Sequence, residues 1–355
     1  MTTATESMPE AAVLLGSPDS YGSRFHEGLH AILEDGREPG AFILALANAL
    51  SEPGLLERLR AQLEDRFDAW CGWLDDGGPA VAAAPADDVA VLRRLRDLGG
   101  PAMLGPVQRR LAGPWEIQFN PLRALRPARM SARALTAEVP PFDPSGFHFD
   151  QPYLRGEVFW EGAWEGTALR LLYNKFPFAE RHALLVPDPG AGRPQRLDRA
   201  THALAWSLCE RFGARLPGLG LGYNAYGAHA SVNHLHLQLF VRSSGEYPVA
   251  SPRWRHNGGA DPYPLPLARH DAADSAWAAI DAFHAKGGVY NLLYRPGVLY
   301  LMPRLRQGGV PVPQWHSGLA WSELAGSLAL SEEGVYAGLE PGAIEAEIGR
   351  MAVPA

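Results

Sequence analysis

The sequence predicts an α+β protein with a helical block first and a sheet-rich core after it. Three observations carry this reading. From about Tyr21 to Leu98, apolar residues recur at helical spacing. Beyond Gly113-Pro114 the apolar runs shorten and are bounded by turn residues, which is the pattern of strands. Those strands mostly follow one another directly, with one or two long helices between them, so the sheet is expected to be mainly antiparallel. A chain of 355 residues has room for two domains, or for one large core with a helical extension.

Taken in order, Phe25, Leu29 and Ile32 mark one helical face, and Leu55, Leu59, Leu63, Phe67 and Trp70 mark another. Ser51-Glu52-Pro53-Gly54 reads as the start of the second helix and Asp75-Asp76-Gly77-Gly78-Pro79 as its end. Ala-rich Val81 to Ala86 reads as a linker before a helix over about Asp88 to Leu98. Strands are expected at Trp115–Phe119, Glu157–Trp160, Ala168–Tyr173 and Ala183–Val186, then a helix over about Asp198–Phe212. Further strands follow at Gly222–Tyr226 and across Ser231–Phe240. After a Pro-rich crossing loop, Pro252 to Leu267, a helix near Ala273–Ala285 leads into a hairpin. That hairpin pairs Val289–Tyr294 with Val298–Met302 through Arg295-Pro296-Gly297. No fixed-period repeat is present. The expected organisation is a flexible N-terminus (1–18), a helical N-terminal region (19–113), a core (114–330) and a C-terminal helical tail (331–355).

Composition narrows the function classes. A chain that is 46% hydrophobic and 20% charged is ordinary for a soluble globular protein. A formal charge of -7 argues against a general nucleic-acid binder, while allowing a locally cationic pocket. Cys71 and Cys209 are too few for a disulfide framework or a cysteine-rich zinc site, and read as small apolar residues. The N-terminus lacks a basic segment followed by an apolar block, and no stretch approaches the roughly 18 apolar residues of a membrane span. The expectation is a cytoplasmic protein, monomeric or homodimeric, with no nucleic-acid or membrane partner.

The segment Ser231-Val232-Asn233-His234-Leu235-His236-Leu237-Gln238-Leu239-Phe240 carries the chemistry. Its period of two places His234, His236 and Gln238 on one face, with Val232, Leu235, Leu237 and Leu239 largely on the opposite, buried face. Two imidazoles and an amide on one strand face suit a phosphorylated ligand or a metal. A metal site would take His234 and His236 with His229 as third ligand. Glutamine is a poor fourth ligand and no cysteine is nearby, so neither a metal nor another cofactor is expected to be required.

The longer run from Leu221 through Asn224, Gly227 and His229 to Gln238 resembles the GDP-hexose phosphorylases, a branch of the histidine-triad superfamily. Ile117-Gln118-Phe119-Asn120, with Arg123 and Arg126-Pro127, is similar to that family's Asn-and-Arg segment. Phe142 to Phe149, Asn174-Lys175-Phe176-Pro177-Phe178, His182 to Pro187 and Tyr290-Asn291-Leu292-Leu293 also match in order, so the resemblance spans roughly residues 115 to 305. It implies a histidine-triad-like fold of the galactose-1-phosphate uridylyltransferase type, with two pseudo-repeated halves. It further implies that His236 attacks an α-phosphorus to form a nucleotidyl-histidine, while His234 positions His236 or touches the phosphate. A neutral imidazole suits that task when one ring nitrogen is held protonated and the other faces phosphorus.

Gln238 stands where the superfamily's hydrolases carry a third histidine and its transferases carry glutamine. An amide can hydrogen-bond a phosphoryl oxygen but cannot deliver a proton. Phosphate groups, with a second pKa of about 6, leave and attack with little acid or base help. The expected reaction is therefore phosphorolysis. A nucleoside-diphosphate hexose, with guanine the favoured base, and inorganic phosphate give the nucleoside diphosphate and hexose-1-phosphate. Charge stabilisation is expected from Arg123, Arg126 and Lys175, with Arg129 a further candidate, and polar contacts from Asn120, Asn174, Asn224, Ser231 and Asn233. Gly227 would allow close backbone approach. His182 is expected to order its loop, and His26, His30, His202, His256, His270, His284 and His316 are read as structural or surface residues.

Other readings share the motif. They are a dinucleoside polyphosphate phosphorylase transferring adenylyl groups, a nucleotide-sugar hydrolase, and a nucleotide-binding protein without catalysis. A uridylyltransferase fits less well, because Leu235 stands where that family usually has proline. The chain also departs from the GDP-hexose pattern. Pro121 and Leu122 replace a Glu-Gly step, His229 replaces an aromatic residue, and the N-terminal helices have no counterpart.

Overall fold

The structure, a computed structural model, describes residues 10–36, 38–77, 84–126, 135 and 138–354. Arg129 and the first residues of the Ala-rich linker lie outside the described residues. The chain opens with helices α1 (Ala11–Leu14), α2 (Pro18–Asp35), α3 (Pro39–Ser51), α4 (Pro53–Asp76) and α5 (Ala86–Asp97). Ser17 starts α2 by accepting the Ser20 N–H at 3.1 Å, and Pro18, Pro39 and Pro53 occupy first turns that need no donor. Gly77 closes α4 in the left-handed region (φ 63°), at the stop signal read from the sequence. Every residue of α3 from Phe42 to Leu50 is buried, as a helix apolar all round must be.

Eight strands form one antiparallel sheet in the order β3-β4-β5-β7-β6-β9-β10-β8. They are β3 (Val158–Trp164), β4 (Thr167–Tyr173), β5 (Ala183–Pro187), β6 (Leu219–Asn224), β7 (Leu237–Val241), β8 (Ala268–His270), β9 (Val289–Arg295) and β10 (Val298–Arg304). A smaller sheet pairs β2 (Trp115–Phe119) with β1 (Gln108–Ala112) and, in parallel, with β11 (Ser327–Leu330). Short α6 (Pro121–Ala124) follows β2. The longer α7 (Arg199–Phe212) and α8 (Ala273–Ala285) sit where the periodicity predicts them, and α9 (Trp321–Leu324), α10 (Glu333–Gly338) and α11 (Pro341–Arg350) surround β11. The α+β class, the antiparallel sheet and the leading helices expected from the sequence are borne out. Strands β1, β8 and β11 were not expected. β1 falls within the stretch read as helical, and β11 pairs with a strand some two hundred residues earlier, a contact that leaves no local pattern.

The large sheet has two different faces. Leu171, Leu185, Leu237, Leu239, Leu221 and Leu292 share a core with the N-terminal helices, α7 and α8. On the other face, Phe240, Leu293 and Met302 pack with Trp115 and Trp321, and Leu172 and Val186 pack beneath Phe149. Period-two alternation along β7 therefore turns Gln238 toward the Trp321 and Phe149 side. A buried ion pair from Arg242 to Glu116 fastens the end of β7 to the small sheet, with the Ser327 hydroxyl donating to the same carboxylate at 2.7 Å.

One expectation needs correction: the histidine segment is not a strand throughout. β7 begins only at Leu237, and residues 230–236 run outside the ladder. The pairings to β5 and β6 stop at Leu185↔Leu237 and Gly222↔Gln238. Beyond them the Leu235 N–H donates to the Arg193 carbonyl (2.8 Å) and the His236 N–H to the Gln195 side chain (2.9 Å). Val232 accordingly joins the Phe149 cluster instead of the Leu235–Leu237 side.

Candidate active site

His236 sits where the chain enters β7, and it is 3% exposed. Its Nδ1–H donates to the backbone carbonyl of His234 at 2.8 Å. Burial holds the imidazole down at about 4, against the opposing pull of that hydrogen bond, so it is neutral near pH 7. Nδ1 carries the proton, which leaves the lone pair on Nε2, and Nε2 has no hydrogen-bond partner among the described residues.

His234 has the opposite arrangement. Its Nδ1 accepts the Phe149 N–H at 3.0 Å, which leaves the ring proton on Nε2. Burial, with the neighbouring His236 and His148, lowers its pKa to about 4. Phe149 stacks on the His234 ring (5.8 Å, 22°) and meets His236 edge-on (4.8 Å), while Phe142 packs on the far side of His234 (5.1 Å). Held at Nδ1 and packed by Phe149 and Phe142, His234 is a fixed support whose carbonyl sets the His236 tautomer.

Gln195 braces the same point from a polar loop. Its Oε1 accepts the His236 N–H, and its Nε2 donates to the carbonyls of His236 (3.1 Å) and Asn224 (2.9 Å). One side chain thus replaces the ladder that β7 lacks here. Gln238 is fixed by Trp321, whose indole N–H donates to Oε1 at 2.6 Å. An indole can only donate, so the amide nitrogen of Gln238 must face away from it. Trp321 reaches this place because β6 is bare beside it: a Cβ on Gly222 would lie 2.1 Å from the indole ring. Neither Gln195 nor Trp321 was expected from the sequence. The alternating Gly220 and Gly222 are the available signal, since glycines inside a strand mark close approach by another group.

Asn224 Oδ1 accepts from Asn291 Nδ2 (2.6 Å) and from the Trp321 N–H (3.0 Å), joining β6, β9 and α9 behind the site. Asn233 spans two loops, with Oδ1 accepting the Gln195 N–H (3.0 Å) and Nδ2 donating to the Pro140 carbonyl (3.0 Å). Asn120 caps α6 by accepting the Leu122 and Arg123 N–H groups. That cap orients half-buried Arg123, whose guanidinium has no hydrogen bond or ion pair among the described residues. Burial lowers the Arg123 pKa, with Glu323 opposing. Arg126 lies over the Phe176 ring at 4.8 Å. Gly227 adopts φ 84° against Arg306, and its carbonyl accepts the Gln307 N–H at 2.7 Å. Ser231 is exposed.

Like Asn120, Asn224 and Asn233, the expected ligand contacts Lys175 and Asn174 are engaged within the protein. Lys175 Nζ lies 2.6 and 2.7 Å from the two oxygens of buried Asp88 on α5, so its charge ties the core to the N-terminal helices. Asn174 Oδ1 accepts the Phe176 N–H and closes its own turn. His229, the third ligand of the metal alternative, packs its ring against Gly318. Among the described residues no group of three His, Cys, Asp or Glu is placed to hold a metal ion, and no helix is long and apolar enough to cross a membrane.

Residues 109–240 match the family model described as GDPGP1-like, N-terminal domain. Among curated proteins, the chain is 40% identical over 106 residues to a GDP-D-glucose phosphorylase 1 from Macaca fascicularis, covering 27% of this chain and 26% of the relative. It is 36% identical over 104 residues to the Bos taurus protein of that name, covering 27% of this chain and 26% of that one. With GDP-L-galactose phosphorylase 2 of Arabidopsis thaliana the identity is 39% over 76 residues, covering 21% and 17%. The chain thus spans about a quarter of the length of the animal relatives it matches, 26% in each of those two cases. The solved structure of yeast Ap4A phosphorylase Apa2 aligns with a TM-score of 0.49 at 14% identity, over 70% of this chain and 88% of that one.

Proposed function

We propose that this chain, a member of the GDP-hexose phosphorylase family through its residues 109–240, is a nucleotidyltransferase that phosphorolyses a nucleoside-diphosphate hexose, GDP-hexose in the first instance. The observation that carries the reading is the His236 imidazole. It is neutral, has its proton on Nδ1, and keeps a lone pair on Nε2, two residues before an amide whose orientation Trp321 fixes.

In the first step Nε2 of His236 attacks the α-phosphorus. A P–N bond forms, the bond to the bridging oxygen breaks, and hexose-1-phosphate leaves as an anion that needs no proton. In the second step inorganic phosphate attacks the nucleotidyl-His236, the P–N bond breaks, and the nucleoside diphosphate departs. As the new bond forms, His236 becomes cationic at fixed Nδ1–H, where the His234 carbonyl stabilises it. Gln238 offers an N–H to a phosphoryl oxygen, and Arg123 supplies positive charge. The absence of a third histidine supports phosphate over water as acceptor.

A panel of GDP-, UDP- and ADP-sugars and dinucleoside polyphosphates, with and without phosphate, tests this on wild type and His236→Ala. The expected result is phosphate-dependent turnover fastest with a GDP-hexose, acid-labile labelling of the wild type, and neither in the variant. Labelling of His236→Ala would overturn the covalent mechanism. Turnover indifferent to phosphate would mean hydrolysis, and preference for a dinucleoside polyphosphate would mean the adenylyl-transferring alternative.

A further inference from the structure

His182 precedes β5 and plays no part in the mechanism above, yet its surroundings are those of a working group. It is 0% exposed, and neither ring nitrogen has a hydrogen-bond partner of good geometry among the described residues. Native structures rarely leave a buried polar side chain in that state, because the lost hydration is not replaced. The backbone explains where the ring points. Leu184 opposes Gln238 across the β5–β7 ladder, so His182, two residues earlier, emerges on the same face as Gln238. Phe178 meets the ring edge-on at 4.5 Å and closes it from solvent. The Gln238 amide stands beside it, and Arg123 and His236 are within electrostatic range.

Resting on the phosphorolysis reading, we propose that His182 is a positioning residue that acts through Gln238: one imidazole nitrogen accepts a hydrogen from the Gln238 amide nitrogen while the second amide hydrogen binds a phosphoryl oxygen. Trp321 already takes Oε1 at 2.6 Å, so the amide nitrogen is directed away from the indole. A primary amide has two hydrogens, and the arrangement gives each a partner once the phosphate is bound. The indole locks the flip state, because rotating the amide would set its NH2 against the indole N–H. The ring must be neutral to accept, and burial, helped by the positive Arg123 and neighbouring His236, outweighs the opposing pull of the Gln238 side chain and lowers its pKa to about 3. His182 is thus the second of two supports that give Gln238 a single orientation.

A double-mutant cycle tests this with the rate of nucleotidyl-enzyme formation, using His182→Phe, Gln238→Ala and the double variant. Unfolding midpoints are recorded for each. Loss of one orienting hydrogen bond is expected to slow labelling about tenfold in His182→Phe, mainly in kcat and not KM. In the Gln238→Ala background the same substitution should cost less than about twofold. His182→Asn or His182→Gln, which restores an acceptor near Nδ1 or Nε2, should recover at least part of the rate. Equal losses in both backgrounds, or no recovery by either amide, would overturn the proposal and leave His182 a packing residue. Should His182→Phe fail to fold, the cycle is run with His182→Met and judged by the same outcomes. Absence of labelling in the wild type with every nucleotide sugar would instead refute the phosphorolysis reading, so the two failures are distinguishable.

Discussion

Gln195→Leu is the substitution that most directly tests how the nucleophile is held. The leucine keeps the approximate shape of the side chain but removes three hydrogen bonds: one from the His236 N–H and two to the carbonyls of His236 and Asn224. Gln195 is 1% exposed, so water does not replace it readily. A buried polar group left without a partner costs roughly 1–3 kcal/mol. One N–H is wholly orphaned and each carbonyl loses one acceptor interaction, which gives an expected loss of about 3–5 kcal/mol. That is a large part of the roughly 5–15 kcal/mol by which a domain is stable, but it leaves a folded population at 25 °C. Urea unfolding followed by tryptophan fluorescence measures the loss as a lower midpoint at unchanged slope. In the folded fraction His236 is no longer tied to β6, and a displacement of about 1 Å costs on the order of a hundredfold in rate. Gln195→Glu should be no rescue, since a carboxylate can accept from His236 but meets two carbonyls with no hydrogen to give. A Gln195→Leu protein within about 0.5 kcal/mol of wild type, labelling within about twofold, would refute the view that this side chain stands in for the missing ladder.

Three further outcomes follow from the same geometry. Lys175→Met leaves the carboxylate of buried Asp88 unpaired and should lower stability by about 3 kcal/mol while KM for phosphate stays within about twofold; a tenfold KM rise at unchanged stability would return Lys175 to the phosphate. Gly222→Ala places a Cβ against the Trp321 indole and should both destabilise the fold and slow labelling, with a near-wild-type protein contradicting the close approach. Acid should destabilise the protein through its histidines, because His234 and His236 are held at about 4, and His182 and His229 at about 3, against 6.5 when exposed. With folded values depressed, the unfolded chain binds more protons between pH 4 and 6.5. The stability these groups contribute is full above pH 6.5 and is lost as pH falls through the folded values. Urea midpoints that stayed level from pH 6.5 to 4.5 would contradict this, as would a labelling rate that titrated with a pKa near 6.5 instead of staying flat from pH 8 to 6.

The alternation of His234, His236 and Gln238 is visible in the sequence because side-chain period is a local property. What holds those residues is not local. The Gln195 bracket joins residues 41 apart in sequence, and Trp321 reaches Gln238 across 83 residues, so neither leaves a pattern in any short window. Lys175 shows the reverse problem. Its residue type and neighbours fit a phosphate contact, and only the packing of α5 reveals Asp88 in reach. Helices α2, α4, α5, α7 and α8 and the β9–β10 hairpin were legible because turn residues and apolar spacing agree there, whereas α3, apolar all round, carries no helical period to read. The short strands β1, β8 and β11 lack that agreement. The histidine pair shows most clearly what structure adds. The sequence presents two equivalent imidazoles, yet an amide N–H from Phe149 forces His234 to accept at Nδ1, whereas the His234 carbonyl forces His236 to donate from the same atom. One hydrogen-bond relay thus assigns opposite tautomers to adjacent copies of one residue, and only the second keeps a lone pair to offer.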